Sequence, residues 1–381
     1  MKNNSDKINY CYLSEKENIK YYFYGRHAMY AALKLLGISK DDTVLTPAWD
    51  CDGALKPFRK MGCKLVFYRS DPYTFSVDLC HLQSLITVDT KLIHIINHFG
   101  HSQPWDKIIK LRNEKNIPIL EDNAYSFSGG IEGSELGTFG DVAFFSFRKI
   151  LPVTSGAVLK INRDSIFFND GRRPFLYFIE LKQIPYLLLD VINHNLGNKL
   201  KEIKSVFKFK KPNSIYWFPL YSNNIDNFPF GERNIIDVDF NKMPQKKASL
   251  LSIVIVKFYS RLFDKYIAAM KVKNYFILSE RLSNIEGVKV LHPNIKGNTI
   301  PHVFSILIEN NRDEIFNKLR DEGYPVWIWP SLPQEVLDQI QNFPDVLLLG
   351  QKLLQVQLYG HKKTDYFRLT ESLKNALSRQ L

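Results

Sequence analysis

From Tyr24 to Asn162 the chain alternates between short, almost wholly apolar runs and longer stretches whose apolar residues recur at helical spacing. AMYAALKLLGI has the helical pattern and a stop at Gly37. TVLTPAW reads as a strand, and GALKPFRKMG is helix-like and again closed by glycine. KLVFYRSD and LIHIINHFG read as strands, QPWDKIIKLRNEKN as a helix, and IPILEDNA, DVAFFSF and GAVLKIN as strands. Strands that are apolar throughout, separated by amphipathic helices, predict a parallel sheet covered on both faces.

The pattern breaks up at about residues 163–233 into aromatic-rich helical and loop segments, an expected insertion. KKASLLSIVIVKFYSRLFDKYIAAMKVKNYFILSERL then predicts one or two long helices. Beyond Gly287, VKVLHP and PHVFSILIE read as strands, and RDEIFNKLRDEGYPVWIW reads as helix then strand. This predicts a large domain over residues 1–271 and a smaller α+β domain over 272–381, divided near the helix around Val272.

The 381 residues carry a formal net charge of +12, which favours anionic partners without choosing among them. No zinc-finger spacing and no aromatic-basic ribonucleoprotein motif is present, which argues against nucleic acid. Cys11, Cys51, Cys63 and Cys80 form no CxxC pair and no disulfide framework, which predicts a reducing compartment. The N-terminal stretch has no apolar core of signal-peptide length, and the apolar window Ile184–Ile192 is too short to span a bilayer. A cytoplasmic protein with no transmembrane segment is expected.

Ligands of open α/β sheets sit at the carboxyl ends of the strands. The polar residues expected there are Trp49, Asp50 and Asp52 after TPA, His98 and His101 after HIIN, Glu121-Asp122, and Arg148-Lys149 after FFSF, beside a helix opening at Gly25-Arg26-His27. Each alone has a plain reading: a strand-end acid is often a helix cap, a glycine before a helix a turn, a turn lysine a solvated one. Together they suit a phosphorylated aromatic cofactor. A helix start with small residues offers amides to a phosphate, and Arg26 offers a planar clamp. A buried carboxylate can hold a pyridine nitrogen protonated, and a lysine can bond an aldehyde.

In order and near-family spacing, these stretches resemble the DegT/DnrJ/StrS-type sugar aminotransferases. GRHAMYAALKLLGI resembles that family's first helix, DDTVLTPAWDC its GDEVIVPSYTF strand and IPILEDNAYS its PVIEDAAQA. ELGTFGDVAFFSF resembles xxGSLGDAACFSF, and RKILPVTSGAVL resembles the lysine loop RKTLPVPDGGAL. The resemblance covers about a third of the chain, Tyr24 to Asn162. It implies the α/β fold of the fold-type-I enzymes that depend on pyridoxal 5′-phosphate (PLP): a large domain with a mostly parallel sheet between helices, plus a smaller C-terminal α+β domain.

The resemblance also implies roles. Asp122 lies beneath the pyridine nitrogen, Lys149 bonds the aldehyde, Ser146 contacts the phosphate, and Gly25, Arg26 and His27 form the phosphate-binding helix start. Counting back from Gly156 places the lysine at Lys149; Lys160, inside a strand pattern, is its rival. Tyr125 stands where the family carries Gln or His, and its phenol is a candidate for the cofactor's 3-oxygen. Ala157 replaces a glycine, and Cys51 stands at the ring-stacking position, leaving Trp49 or His98 for that task. For Trp49, core packing is an equal reading. Asn241 is a candidate for a family asparagine, and WIWPSLP could wall an acceptor pocket or simply pack.

The implied function is transfer of an amino group from an amino acid, most often glutamate, to a keto acceptor, typically a nucleotide-linked keto sugar. Such chemistry serves polysaccharide or secondary-metabolite biosynthesis, and a homodimer is expected. Three alternatives stay open: a sugar dehydratase, a non-catalytic binding or regulatory protein of the same fold, and a basic binding module. Resembling dehydratases carry histidine in place of the lysine.

Overall fold

The computed structural model describes residues 18–126, 129–131, 134–151, 153, 155–163, 240, 246–262, 267–295, 297–329, 331–358 and 363–378. Residues 164–233 of the expected insertion, the window Ile184–Ile192, Asn241, Cys11 and Pro330 of WIWPSLP lie outside them.

The main sheet contains β1 (Ile19–Tyr22), β2 (Thr43–Pro47), β3 (Lys64–Tyr68), β4 (Thr90–Ile96), β5 (Ile119–Asn123), β8 (Val142–Ser146) and β9 (Ala157–Ile161). A short hairpin, β6 (Gly130–Ile131) and β7 (Ser134–Glu135), interrupts the series. The order is β1-β9-β8-β5-β4-β2-β3. The strands from β8 to β3 pair in parallel, while β9 runs antiparallel to both β8 and β1. Every residue of β2, β5, β8 and β9 is buried, the polar Glu121, Asp122, Asn123 and Lys160 included. Successive strand residues project to opposite faces. Val44, Leu92 and Leu120 accordingly enter one core, and their neighbours Leu45, Ile93 and Ile119 enter the other.

Helix α1 (Gly25–Leu35) packs on the first face with Ala28, Ala31 and Ala32, whose small side chains allow a close approach. It ends just before Gly37, which takes φ +71° as the sequence stop predicted. Further helices are α2 (Lys56–Met61), α3 (Leu79–Ser84) and α4 (Trp105–Lys115). α4 covers the second face with Trp105, Ile108 and Leu111.

The later half holds α5 (Leu250–Leu262), α6 (Ala269–Leu282), β10 (Val288–Val290), β11 (Val303–Ile308), α7 (Arg312–Asp321) and β12 (Val326–Trp327). It continues with α8 (Gln334–Leu337), α9 (Pro344–Lys352), β13 (Leu353–Gln357) and α10 (Lys363–Ser378). The second sheet is antiparallel throughout, in the order β10-β11-β13-β12. Phe304, Ile306 and Ile308 of β11 face a core with Tyr275 and Leu278 of α6, Leu319 of α7 and Leu369 of α10. Val303 and Leu307 face the other way, into the same cluster as α1 and the main sheet. The two sheets therefore share one apolar core. Residue 272 lies within α6.

Glu121 and Asp122, adjacent on β5, part company. Glu121 is fully buried and binds the loop before β8, accepting from the backbone amides of Gly137 at 2.5 Å and of Phe139 and Gly140 at 3.0 Å. Its task is structural. Asp122 faces the candidate site.

Candidate active site

The carboxyl ends of β2, β4, β5 and β8 and the start of α1 meet at one place. Gly25 lies so close to β8 that a Cβ there would sit 3.3 Å from Ser146 Cβ and 3.4 Å from Ser146 Oγ. The first turn of α1 carries no acidic residue. The helix start and the serine hydroxyl thus form one cradle of a kind that suits an anion. Arg26 lies beside it, its guanidinium 5.2 Å from the Tyr24 ring centre and 5.7 Å from that of Phe240. His27 is fully buried, and its Nδ1 accepts from the Tyr24 amide at 3.2 Å, so its imidazole caps α1.

Asp122 is 4% exposed at the end of β5. Its Oδ1 accepts from the Ala124 amide at 2.7 Å, and its Oδ2 stands 3.4 Å from His94 Nε2. His94 Nδ1 is 3.0 Å from Thr46 Oγ1. With the hydroxyl donating to Nδ1, the Nε2–H faces the carboxylate, and the chain Thr46–His94–Asp122 fixes its orientation.

Lys149 closes the short turn Phe147–Lys149 after β8, and its Nζ lies 3.7 Å from the centre of the Tyr125 ring. A cation over an aromatic face is held by the ring quadrupole. Lys160 is buried in β9, opposite Ile19 and Ala143. Tyr125 packs with Phe99, His302 and Trp329, at ring separations of 5.3, 5.7 and 5.8 Å. Burial holds its phenol well above the usual tyrosine range.

Trp49 is fully buried and packs on Trp329 at 5.2 Å with the planes 33° apart. His98 Nε2 donates to the Trp49 carbonyl at 2.9 Å. Cys51 is part-buried, and its thiol is pushed up to about 11 by burial and the Asp50 carboxylate. His94 and His302 are neighbours that sequence reasoning did not place here, and Trp329 comes from the WIWPSLP segment read as either a pocket wall or packing. His94 lies inside an apolar strand run and His302 lies far along the chain; the strand register and the packing around Tyr125 bring them in.

Burial lowers the His98 pKa to about 4, against a reference of 6.5. Its imidazole stays neutral in the native protein while the unfolded chain takes up a proton, so this residue's contribution to stability is lost as pH falls through that window. His98→Gln keeps an amide donor for the Trp49 carbonyl and cannot titrate. It should reduce the slope of stability between those two pH values by about 1.4 kcal/mol per pH unit in urea melts at stepped pH. Equal slopes in the two proteins would contradict this.

Among the described residues no helix is long and apolar enough to cross a membrane, and no cluster of three or more His, Cys, Asp or Glu is arranged to hold a metal.

Residues 23–158 match the profile of the DegT/DnrJ/EryC1/StrS aminotransferase family. A GDP-perosamine synthase of Escherichia coli O157:H7 is 31% identical over 132 residues, which are 35% of this chain and 36% of that protein. A GDP-4-keto-6-deoxy-D-mannose 3-dehydratase of Yersinia pseudotuberculosis is 35% identical over 107 residues, 28% of this chain and 27% of that protein. The aligned part thus spans well under half of either relative. The likeness in fold extends further: a solved DegT/DnrJ/EryC1/StrS aminotransferase from Brucella abortus superposes with a TM-score of 0.67 at 15% identity, over 94% of this chain and 85% of that one. Through the segment that builds the main sheet and this site, the chain is similar to the DegT/DnrJ/EryC1/StrS aminotransferases.

Proposed function

We propose that the protein is a PLP-dependent aminotransferase that moves an amino group from an amino acid, with glutamate the first choice, to a nucleotide-linked keto sugar. One observation carries this reading: an amine, a fixed buried carboxylate and an anion cradle converge at the strand ends. The residues fit the cofactor. Gly25, Arg26 and Ser146 would meet its phosphate. Asp122, steadied by His94, would meet its ring nitrogen. Lys149 would bond its aldehyde. When bound, PLP supplies that aldehyde and an electron-withdrawing ring.

The chain's residues would divide the remaining work. Asp122 stabilises positive charge at the ring nitrogen, and such preorganised electrostatics usually supplies a large share of a barrier reduction. Lys149 takes the proton from the donor's α-carbon and holds it on Nζ. Tyr125 keeps the lysine over its ring face until it is called on. Trp49, His98 and Cys51 shape the adjoining wall, with Trp49 packed on Trp329 as a support. The net charge of +12 suits an acceptor bearing a diphosphate. A cytoplasmic homodimer, divided into domains over 1–271 and 272–381, belongs to the same proposal. The Yersinia dehydratase relative favours a second reading, sugar dehydration, against which Lys149 argues.

The test is the visible spectrum of the purified protein mixed with PLP, before and after glutamate. A protein-bound cofactor band that glutamate bleaches, and that a nucleotide-linked keto sugar restores, supports the reading. A protein that produces no bound band contradicts it. Gly25→Val, pressing a branched side chain onto Ser146, should weaken PLP binding at least about tenfold in spectroscopic titration.

A further inference from the structure

The site holds a second buried carboxylate that the proposed function leaves without work. Asp50 follows β2 and is 3% exposed. Its Oδ1 accepts from the Cys51 amide at 2.7 Å. Its Oδ2 is buried and has no hydrogen-bond partner among the described residues. A buried carboxylate with one oxygen unsatisfied is unfavourable when ionised. It calls for a proton, or for a donor brought by something that moves.

The charged and titratable groups around Asp50 are His94 from β4, Asp122 from β5, Lys149 from the turn after β8, Tyr68 from β3, and the nearby Cys51 and Tyr125. His94 is already held between Thr46 and Asp122. Lys149 is a cation on a flexible four-carbon stem, resting against a ring face. In the family stretch GDEVIVPSYTF a threonine stands where this chain has Asp50.

We propose that Asp50 is the proton acceptor for Lys149: when the Lys149 ammonium becomes the amine that bonds the cofactor aldehyde, its proton passes from Nζ to Asp50 Oδ2. The transfer turns an ammonium and a carboxylate into a neutral amine and a neutral acid, with no other proton or electron required. Burial raises the Asp50 pKa, His94 opposes the rise and Asp122 adds to it, leaving it at about 7. A carboxyl poised there can accept and return a proton at neutral pH. Asp50 acts through Lys149 and is a positioning residue. The inference rests on the reading of Lys149 as the aldehyde-bonding residue.

Cofactor-free protein is mixed with PLP at stepped pH, trapped with borohydride, and the labelling rate at Lys149 is read by peptide mass spectrometry. In the wild type the rate should rise with an inflection near pH 7, where Asp50 ionises. In Asp50→Asn the inflection should move to higher pH, and the rate near neutrality should fall about 10²-fold. Asp50→Thr, carrying the residue of the family stretch, should behave like Asp50→Asn and guards against a fault peculiar to the amide. Asp50→Glu should restore an inflection. A second readout needs no cofactor: difference infrared spectra between about pH 5 and about pH 9 should show a protonated-carboxyl band titrating in the wild type and absent from Asp50→Asn. Superposable labelling profiles in wild type and Asp50→Asn overturn the proposal while leaving the cofactor reading intact. A wild type that is not labelled at Lys149 overturns both, whatever the infrared band does.

Discussion

Lys149→Ala should abolish both the bound-cofactor band and the reaction with glutamate, the largest single effect expected in this protein. Alanine removes the amine that rests 3.7 Å over Tyr125 at the strand ends and leaves that ring in place. The loss combines two contributions: the covalent hold on the cofactor and the general base at the α-carbon, the latter worth about 10²–10⁴-fold by itself. Single-turnover absorbance with added PLP and glutamate measures it. Adding methylamine separates chemistry from folding, since a small external amine can restore part of the proton transfer only in an intact site. Lys160→Met is the companion variant. Its lysine is buried in β9 between Ile19 and Ala143, so its loss should leave the spectrum unchanged. If Lys149→Ala still forms the band and Lys160→Met does not, the lysine register read from Gly156 is wrong.

Asp122→Asn should keep the band and slow the glutamate half-reaction by about 10²–10³-fold, the loss seen when one preorganised stabiliser of developing charge is removed. The amide is isosteric, and its oxygen can still accept from the Ala124 amide, so the local backbone should hold. What disappears is the negative charge. His94, anchored on Thr46, would then face a neutral partner. Stopped-flow absorbance at saturating glutamate isolates the chemical step from binding. A rate within about threefold of the wild type would remove Asp122 from the mechanism. A His94→Gln variant should show a smaller loss in the same direction, because it loosens the carboxylate without discharging it.

The main sheet was legible because its inner strands carry mostly apolar runs bounded by Gly, Pro or Asp. Those are the signs of strands buried on both faces. Edge strand β1, with its half-buried Lys20 and Tyr21, gave no such run and was not anticipated. Neither was β13, where Gln355 and Gln357 interrupt the apolar pattern yet are buried, Gln355 with its amide 3.2 Å from Ser305 Oγ. The candidate residues could be picked out at the strand ends, Asp122, Ser146 and Lys149, and at the opening of α1, Gly25. The site was unreadable where the signal depends on pairing. His94 is one apolar-run residue among others until β4 and β5 align and bring its ring to Asp122. His27 was read as part of the phosphate-binding helix start; that its Nδ1 accepts from the Tyr24 amide could not be read from the sequence. Trp329 reaches the Asp50 carbonyl at 3.4 Å across most of the chain, a contact that no local spacing announces.

The recognisable segment ends at residue 158, but its core does not. Leu291, Val303, Leu307, Trp327, Trp329, Val346, Leu349 and Leu353 complete the cluster begun by Ala28, Val44, Leu92 and Phe144. Backbone links reinforce the join, His302 to Phe99 at 2.7 Å and Asp52 to Ser331 at 3.1 Å. The segment over residues 23–158 is therefore not a portable module. Cut free after residue 158, it would expose an apolar face that the rest of the chain normally seals, and grafted onto a foreign partner it would need that face rebuilt.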